Sequence, residues 1–238
     1  MNDVAPLPSY SSPPARTLAE QVYEALKSDL LAGILPAGSA LLTRDLLKRY
    51  GCGVSPLREA VARLVGEQFL EATSHRGVRV PSFSINDVED IYRIRIALER
   101  EALALAIVHG DDTWEGAILA AGHRMEKAPL PDREQDKGLA VGEWEKRHRA
   151  FHMSLISAAP APRLLRLINQ MVDQTERYRA LRLAGSDQVK LGRDIIAEHR
   201  HLMELVIARD PVCLQFLADH LDRTRQAVVA MIKAATTE

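Results

Sequence analysis

Eight histidines are scattered through the 238-residue chain, and four of them fall into a pattern that could hold a metal ion. His148 and His152, in HRAFH, lie four positions apart and share one face if that stretch is helical. His199, in AEHRHLMEL, and His220, in ADHLDRT, sit on two helix-like stretches that meet at Arg209-Asp210. Each is about ten residues from that turn, so an antiparallel pair of helices rising about 1.5 Å per residue would bring them to one height. Three helices of a bundle can then aim four imidazoles at one point, the usual place for a metal in such a fold. Imidazole suits Zn²⁺, Ni²⁺, Cu²⁺ or Fe²⁺. The plainer reading of any one of these histidines is a hydrogen-bonded interior or surface side chain. His201 points away from His199 round the helix, and His109 and His123 join no pattern.

A second constellation lies near the N-terminus, in GCGVSPLREAVARL, residues 51–64. Gly and Ser-Pro punctuate, whereas the residues after Pro56 form helix with an apolar stripe of Leu57, Val61, Leu64 and Val65. Ser55 is placed to cap that helix with Pro56 at its first position. Arg58 projects from the first turn, where a side chain can reach out to a partner. Arg63 reads as a solvated charge or an ion pair.

The elements around these residues say what they position. Thr17-Leu-Ala-Glu20 has capping-box spacing and opens a helix with Leu18, Val22, Leu26, Leu30 and Leu31 on one side, ending at Gly33. A short helix from Thr43 to Gly51 precedes the PLREAVARL helix, and the two make a helix-turn-helix. FLEAT and VRV follow as short strands around the polar turn SHRG. Helix, helix-turn-helix and basic-tipped hairpin make a winged helix, whose third helix enters the major groove of DNA. From Arg44 to Val80 seven Lys/Arg face four acids, a local excess of basic charge inside a chain of net charge −1. After the linker PSFS, Ser84-Ile-Asn-Asp87 has the spacing of another capping box. The remainder reads as about six helices broken at Gly and Pro, enough for a bundle with its own core.

Composition sets the bounds. Hydrophobic residues at 47% and charged residues at 26% describe a water-soluble, mainly α protein, and no apolar run approaches membrane-spanning length. The two cysteines, Cys52 and Cys213, make no CxxC and suit a reducing cytoplasm. MNDVAPLPSYSSPPA, residues 1–15, reads as a disordered tail and not as a signal peptide. The expected organisation is a tail over 1–15, a winged-helix DNA-binding domain over 16–81 and an all-helical ligand-binding bundle over 82–238.

Residues 17–81 resemble the DNA-binding domain of GntR-family bacterial transcription regulators, with Pro-x-Gly before the second helix, PLREAVARL as the third and an RG in the wing. The resemblance implies that Arg44, Ser55, Arg58, His75, Arg76 and Gly77 face operator DNA. Here Gly53-Val54 replaces an approach that carries Arg in many relatives, so a relative's operator sequence does not transfer. FHMSL, EHRHLMEL and DHLDRT are similar to the histidine-bearing segments of the FCD effector domain, found in the FadR-type subgroup. That resemblance implies a divalent metal held by His152, His199 and His220, beside a small-molecule pocket. The fourth ligand in such domains is an Asp or Asn at the position of His148, and an imidazole there favours Zn²⁺ or Ni²⁺ over Mn²⁺ or Mg²⁺. IYRIRIALEREALALA resembles the first FCD helix, which implies that Arg95, with Tyr92 one turn earlier, contacts an organic-acid effector; an Arg95–Glu99 ion pair is the alternative.

An enzyme would use the same histidines differently. HRAFH has the spacing of a zinc protease helix but lacks the Glu that serves as general base in HExxH. No GxSxG or Gly-rich phosphate loop is present, and a protein-only scaffold leaves PLREAVARL unexplained. The resulting expectation is a homodimeric, cytoplasmic regulator, a repressor that senses a small carboxylate, with a metal-dependent helical-bundle enzyme as the alternative.

Overall fold

A computed structural model describes residues 17–73, 77–128, 137–184 and 194–237. The predicted tail and the wing-tip residues His75 and Arg76 lie outside the described residues.

Helix α1 (Leu18–Leu31) begins where Thr17 accepts a hydrogen bond from the Glu20 amide at 3.2 Å, and Gly33 follows it at φ 70°. Strand β1 (Ala40–Leu42) runs directly into α2 (Thr43–Tyr50), which Gly51 ends at φ 57°. Helix α3 (Val54–Gly66) begins earlier than its Ser-Pro step suggests. Gly53 is its N-cap and no side chain caps it, so Ser55 is not the cap and Pro56 is not the first helical residue. Pro56 is still within the first turn, where no amide has an intrahelical partner to lose. Strands β2 (Glu71–Thr73) and β3 (Gly77–Arg79) complete an antiparallel sheet in the order β1-β3-β2. Leu41 and Ala72 flank Val78 on its two sides. Gly77 is required by this sheet, because a Cβ there would lie 2.7 Å from the Leu41 carbonyl oxygen.

The winged helix closes over Leu26, Leu30, Leu57, Leu64, Phe69 and Leu70. Each is worth about 1.5–3 kcal/mol of burial. Among the described residues six helices follow: α4 (Ile85–His109), α5 (Asp112–Glu126), α6 (Lys137–Ile156), α7 (Pro162–Ala184), α8 (Ile195–Ile207) and α9 (Val212–Thr237). Ser84, Asp111 and Asp194 cap the first, second and fifth of these by accepting bonds from amides three residues on. Helix α4 packs against α7 and α9, while α5 closes on α6 and α8. Gly122 lets α5 approach α8, since a Cβ would lie 2.6 Å from the Met203 sulfur. The bundle therefore has a core of its own, centred on Leu103, Ile118, Phe151, Ile168, Leu202 and Leu217.

Candidate functional site

The four patterned histidines meet inside the bundle. One ring nitrogen from each of His148, His152, His199 and His220 lies within 4.8 Å of the others, and all four side chains are buried. Helix α6 brings His148 and His152 to one face, with ring centroids 4.6 Å apart. The α8–α9 turn, where Arg209 takes φ 53°, sets His199 and His220 at one height, 4.5 Å apart. Trp144 stacks on His148 at 4.6 Å and an interplanar angle of 14°, and Phe151 stands edge-on to His152 and His199.

Hydrogen bonds behind two of the rings settle which nitrogen faces inward. His199 Nδ1 is 2.6 Å from the Ile195 carbonyl oxygen, which can only accept, so Nδ1 carries the proton. His220 Nδ1 likewise donates to the Glu198 carboxylate at 3.0 Å, and Arg223 donates to the same oxygen at 3.3 Å. A carbonyl or carboxylate behind the ring is the support that metal-binding histidines use. In their neutral form these rings turn their Nε2 lone pairs inward. His152 Nε2 lies 3.2 Å from His199 Nε2, and two lone pairs this close need a proton or a cation between them. Nitrogens held tetrahedrally at about 2.0–2.1 Å from zinc stand about 3.3–3.4 Å apart. The donor set is thus one that a borderline divalent ion fits. Glu145, also buried, places a carboxylate oxygen 3.9 Å from His148 Nδ1.

Arg95 takes the ion-pair alternative. Its Nε donates to Glu99 at 2.5 Å and its Nη1 to Thr175 at 2.9 Å, all deep in the bundle. Tyr92 is fully buried beside it, and its hydroxyl has no hydrogen-bond partner among the described residues. A buried, unsatisfied hydroxyl is costly and marks a place where a polar group can dock.

On the winged helix, Ser55 is exposed in the first turn of α3 and Arg58 is exposed at the start of the second, further in than the Ser-Pro step suggested. Arg44 is exposed at the start of α2 with an Asp45 carboxylate 3.3 Å away. Ser55 is thus relieved of capping, and its side chain is exposed. Arg63 on α3 bonds Glu67 at 3.1 Å and stacks its guanidinium 3.7 Å from the Tyr23 ring.

A charged chain that the sequence did not announce ties this domain to the histidines. Lys27 on α1 donates to Asp173 on α7 at 2.6 Å and to the Tyr23 hydroxyl at 3.1 Å. Tyr23 in turn donates to Glu67, just past α3, at 2.6 Å. Asp173 also accepts from Arg149, the neighbour of His148 on α6, and Arg149 bonds Asn169 at 2.8 Å. Burial is the largest single influence and lowers the Lys27 pKa, but the hydrogen bonds and charges of Asp173 and Tyr23 together outweigh it and hold the ammonium above its ordinary range. Glu198 was likewise missed, since its partner His220 is on another helix; its place just before His199 was the available signal.

A winged helix with a basic recognition helix, followed by a helical bundle with a buried histidine cluster, defines a DNA-binding regulator with an effector domain. Residues 18–80 match the model for bacterial regulatory proteins of the gntR family, and residues 90–223 match the FCD domain. The chain is 32% identical over 228 residues to the HTH-type transcriptional regulator BphR of Paraburkholderia xenovorans, covering 95% of this chain and 90% of that one. It is 33% identical over 189 residues to the HTH-type transcriptional repressor GlaR of Escherichia coli, covering 79% and 84%. The structure of E. coli McbR/YncC superposes with a TM-score of 0.74 at 22% identity, covering 92% of this chain and 100% of that one, a likeness of fold. The chain belongs to the GntR family of transcription regulators, with an FCD domain, and its relatives are regulators and not enzymes.

Proposed function

We propose that the chain is a homodimeric, cytoplasmic repressor that binds operator DNA through residues 16–81 and senses a small organic acid through residues 82–238. Arg44, Ser55, Arg58 and the wing residues His75, Arg76 and Gly77 form the DNA face in this reading. Two copies related by two-fold symmetry would read two half-sites. The name of GlaR as a repressor supports the direction of regulation.

The observation that carries the sensing half is the convergence of four buried imidazoles, two with their inward nitrogens fixed by hydrogen bonds behind them. His148, His152, His199 and His220 would hold Zn²⁺ or Ni²⁺. Because all four donors are neutral, a bound ion keeps its double positive charge and attracts a carboxylate at any position the protein leaves open. Tyr92 offers a hydroxyl to that acid. Arg95 already pairs with Glu99, so an acid would share its guanidinium with that carboxylate. Movement of α6 would then pass through Arg149, Asp173 and Lys27 to α1 and the end of α3.

The reading is tested in two measurements on the purified chain. Zinc or nickel bound per chain, by elemental analysis after dialysis, is expected to be stoichiometric in the native protein and lost in His152→Ala and His199→Ala. Operator DNA selected from random sequence is expected to bind the native protein and to bind Arg58→Ala about 10- to 100-fold more weakly, the scale of one bidentate base contact. Unaltered metal content in both histidine variants would remove the metal from the account, and unaltered DNA affinity in Arg58→Ala would remove the recognition helix.

A further inference from the structure

Between the winged helix and the bundle lies a cavity of about 530 Å³ that none of the four clustered histidines lines. Gln68, Phe69 and Leu70 wall it from the winged helix, and Ile91, Arg177 and Tyr178 wall it from α4 and α7. Small-molecule sites commonly occupy about 300–1,000 Å³ and favour domain junctions.

Arg177 is the unusual member. It is only 7% exposed, and no carboxylate lies within ion-pair distance of it among the described residues. Arg95, the other arginine buried to this degree among the described residues, has Glu99. The Arg177 guanidinium instead lies 5.5 Å from the Phe83 ring centroid and 5.2 Å from that of Tyr178. It also borders a smaller cavity of about 210 Å³ on the side of Leu30 and Val80. Of the two acids lining the larger cavity, Asp87 is engaged by the Tyr178 hydroxyl at 2.5 Å and Glu71 is exposed. Besides the ring faces, the polar company of Arg177 is the Tyr178 hydroxyl. A charge taken out of water with no carboxylate of its own is undercompensated, so an incoming anion would supply what is missing.

We propose that this junction cavity is a second effector site, taking a small organic anion that sets its negative group on Arg177 and its apolar body against Phe69, Leu70 and Ile91. The walls belong to both domains, so such a ligand binds one arrangement of the winged helix on the bundle better than another. That difference is what lets a ligand shift a conformational equilibrium. The site stands apart from the histidine cluster and does not depend on a metal there.

The test uses the full-length chain and 8-anilinonaphthalene-1-sulfonate, an apolar anion that fluoresces on leaving water. Saturable binding is expected, displaced by octanoate and benzoate but not by octanol or benzyl alcohol. Arg177→Gln is expected to weaken it at least 10-fold. Ala72→Phe, which fills the cavity from the winged-helix wall, is expected to do the same and carries the test alone if Arg177→Gln does not fold by circular dichroism. Chelation and His152→Ala are expected to leave the affinity unchanged. The proposal is overturned if the native protein shows no saturable signal, if folded variants bind as the native protein does, if the alcohols compete equally, or if chelation abolishes binding, which would place the probe at the histidines.

Discussion

Glu198 on α8 reaches across to α9 and holds His220 in the orientation that the cluster needs. Replacing it with Gln keeps the shape and removes the charge that favours a proton on Nδ1. Loss of such a supporting group commonly costs about 10- to 100-fold in metal affinity. Competition titration with a chromophoric chelator should show a fall of that size in Glu198→Gln, with melting of the metal-free protein close to native. An unchanged zinc affinity would mean that the bond behind His220 is incidental. At this scale the sequence was informative where chemistry repeats at helical spacing. His148 and His152 could be paired by counting, and His199 with His220 by distance from a shared turn. Glu198 and Asp173 could not, because their partners are brought together only by packing between helices. Ser55 was misread because Ser-Pro is a strong start signal, while Gly53 begins α3 one residue before Val54 with no side-chain cap at all.

The elements were mostly legible because their ends are marked. Gly33, Gly51, Ser84 and Asp111 stop or start helices by geometry that few other residues supply. Strand β1 was not foreseen; three residues are too short for alternation to show, and it exists by pairing with β3. That pairing makes Gly77 a structural residue as well as a candidate for the DNA face. Gly77→Ala should push β3 away from Leu41 and lower stability by about 1–3 kcal/mol, the usual size for a steric clash at a buried contact. Urea denaturation measures this, and a midpoint equal to native would show that β1 yields easily. The α1–α7 contact is charged, and its pH response has a definite sign. The Lys27 pKa is raised in the folded state, so its contribution is fully present below the ordinary lysine range and fades only as pH rises through the higher folded value. The contact should therefore hold from about pH 6 to pH 9 and weaken only in strong alkali. Hydrogen exchange of α1 across that range is the check, and loosening near neutral pH would contradict it.

At the scale of the whole molecule, two sites that would otherwise be independent are joined through a few side chains. If Lys27, Asp173 and Arg149 carry the coupling, Lys27→Met and Asp173→Asn should each leave metal binding intact and reduce the effect of metal on operator affinity. A double-mutant cycle should give an interaction of about 0.5–3 kcal/mol between them, as for residues in one network. Additive effects would send the coupling elsewhere. The two-part organisation was readable because each part has its own apolar pattern, while the contacts that join them are polar and leave no periodic trace.

The central claim is that the histidine cluster and the recognition helix belong to one switch. Operator affinity, by fluorescence anisotropy, should be measured on the native chain as purified, after chelation, and after Zn²⁺ or Ni²⁺ is restored, with metal affinity measured in turn with and without operator. Linkage requires the two factors to be equal. The account predicts that chelation changes operator affinity, that metal restores it, and that operator changes metal affinity by the same factor. Operator affinity indifferent to metal, with the cluster demonstrably filled and emptied, would contradict it.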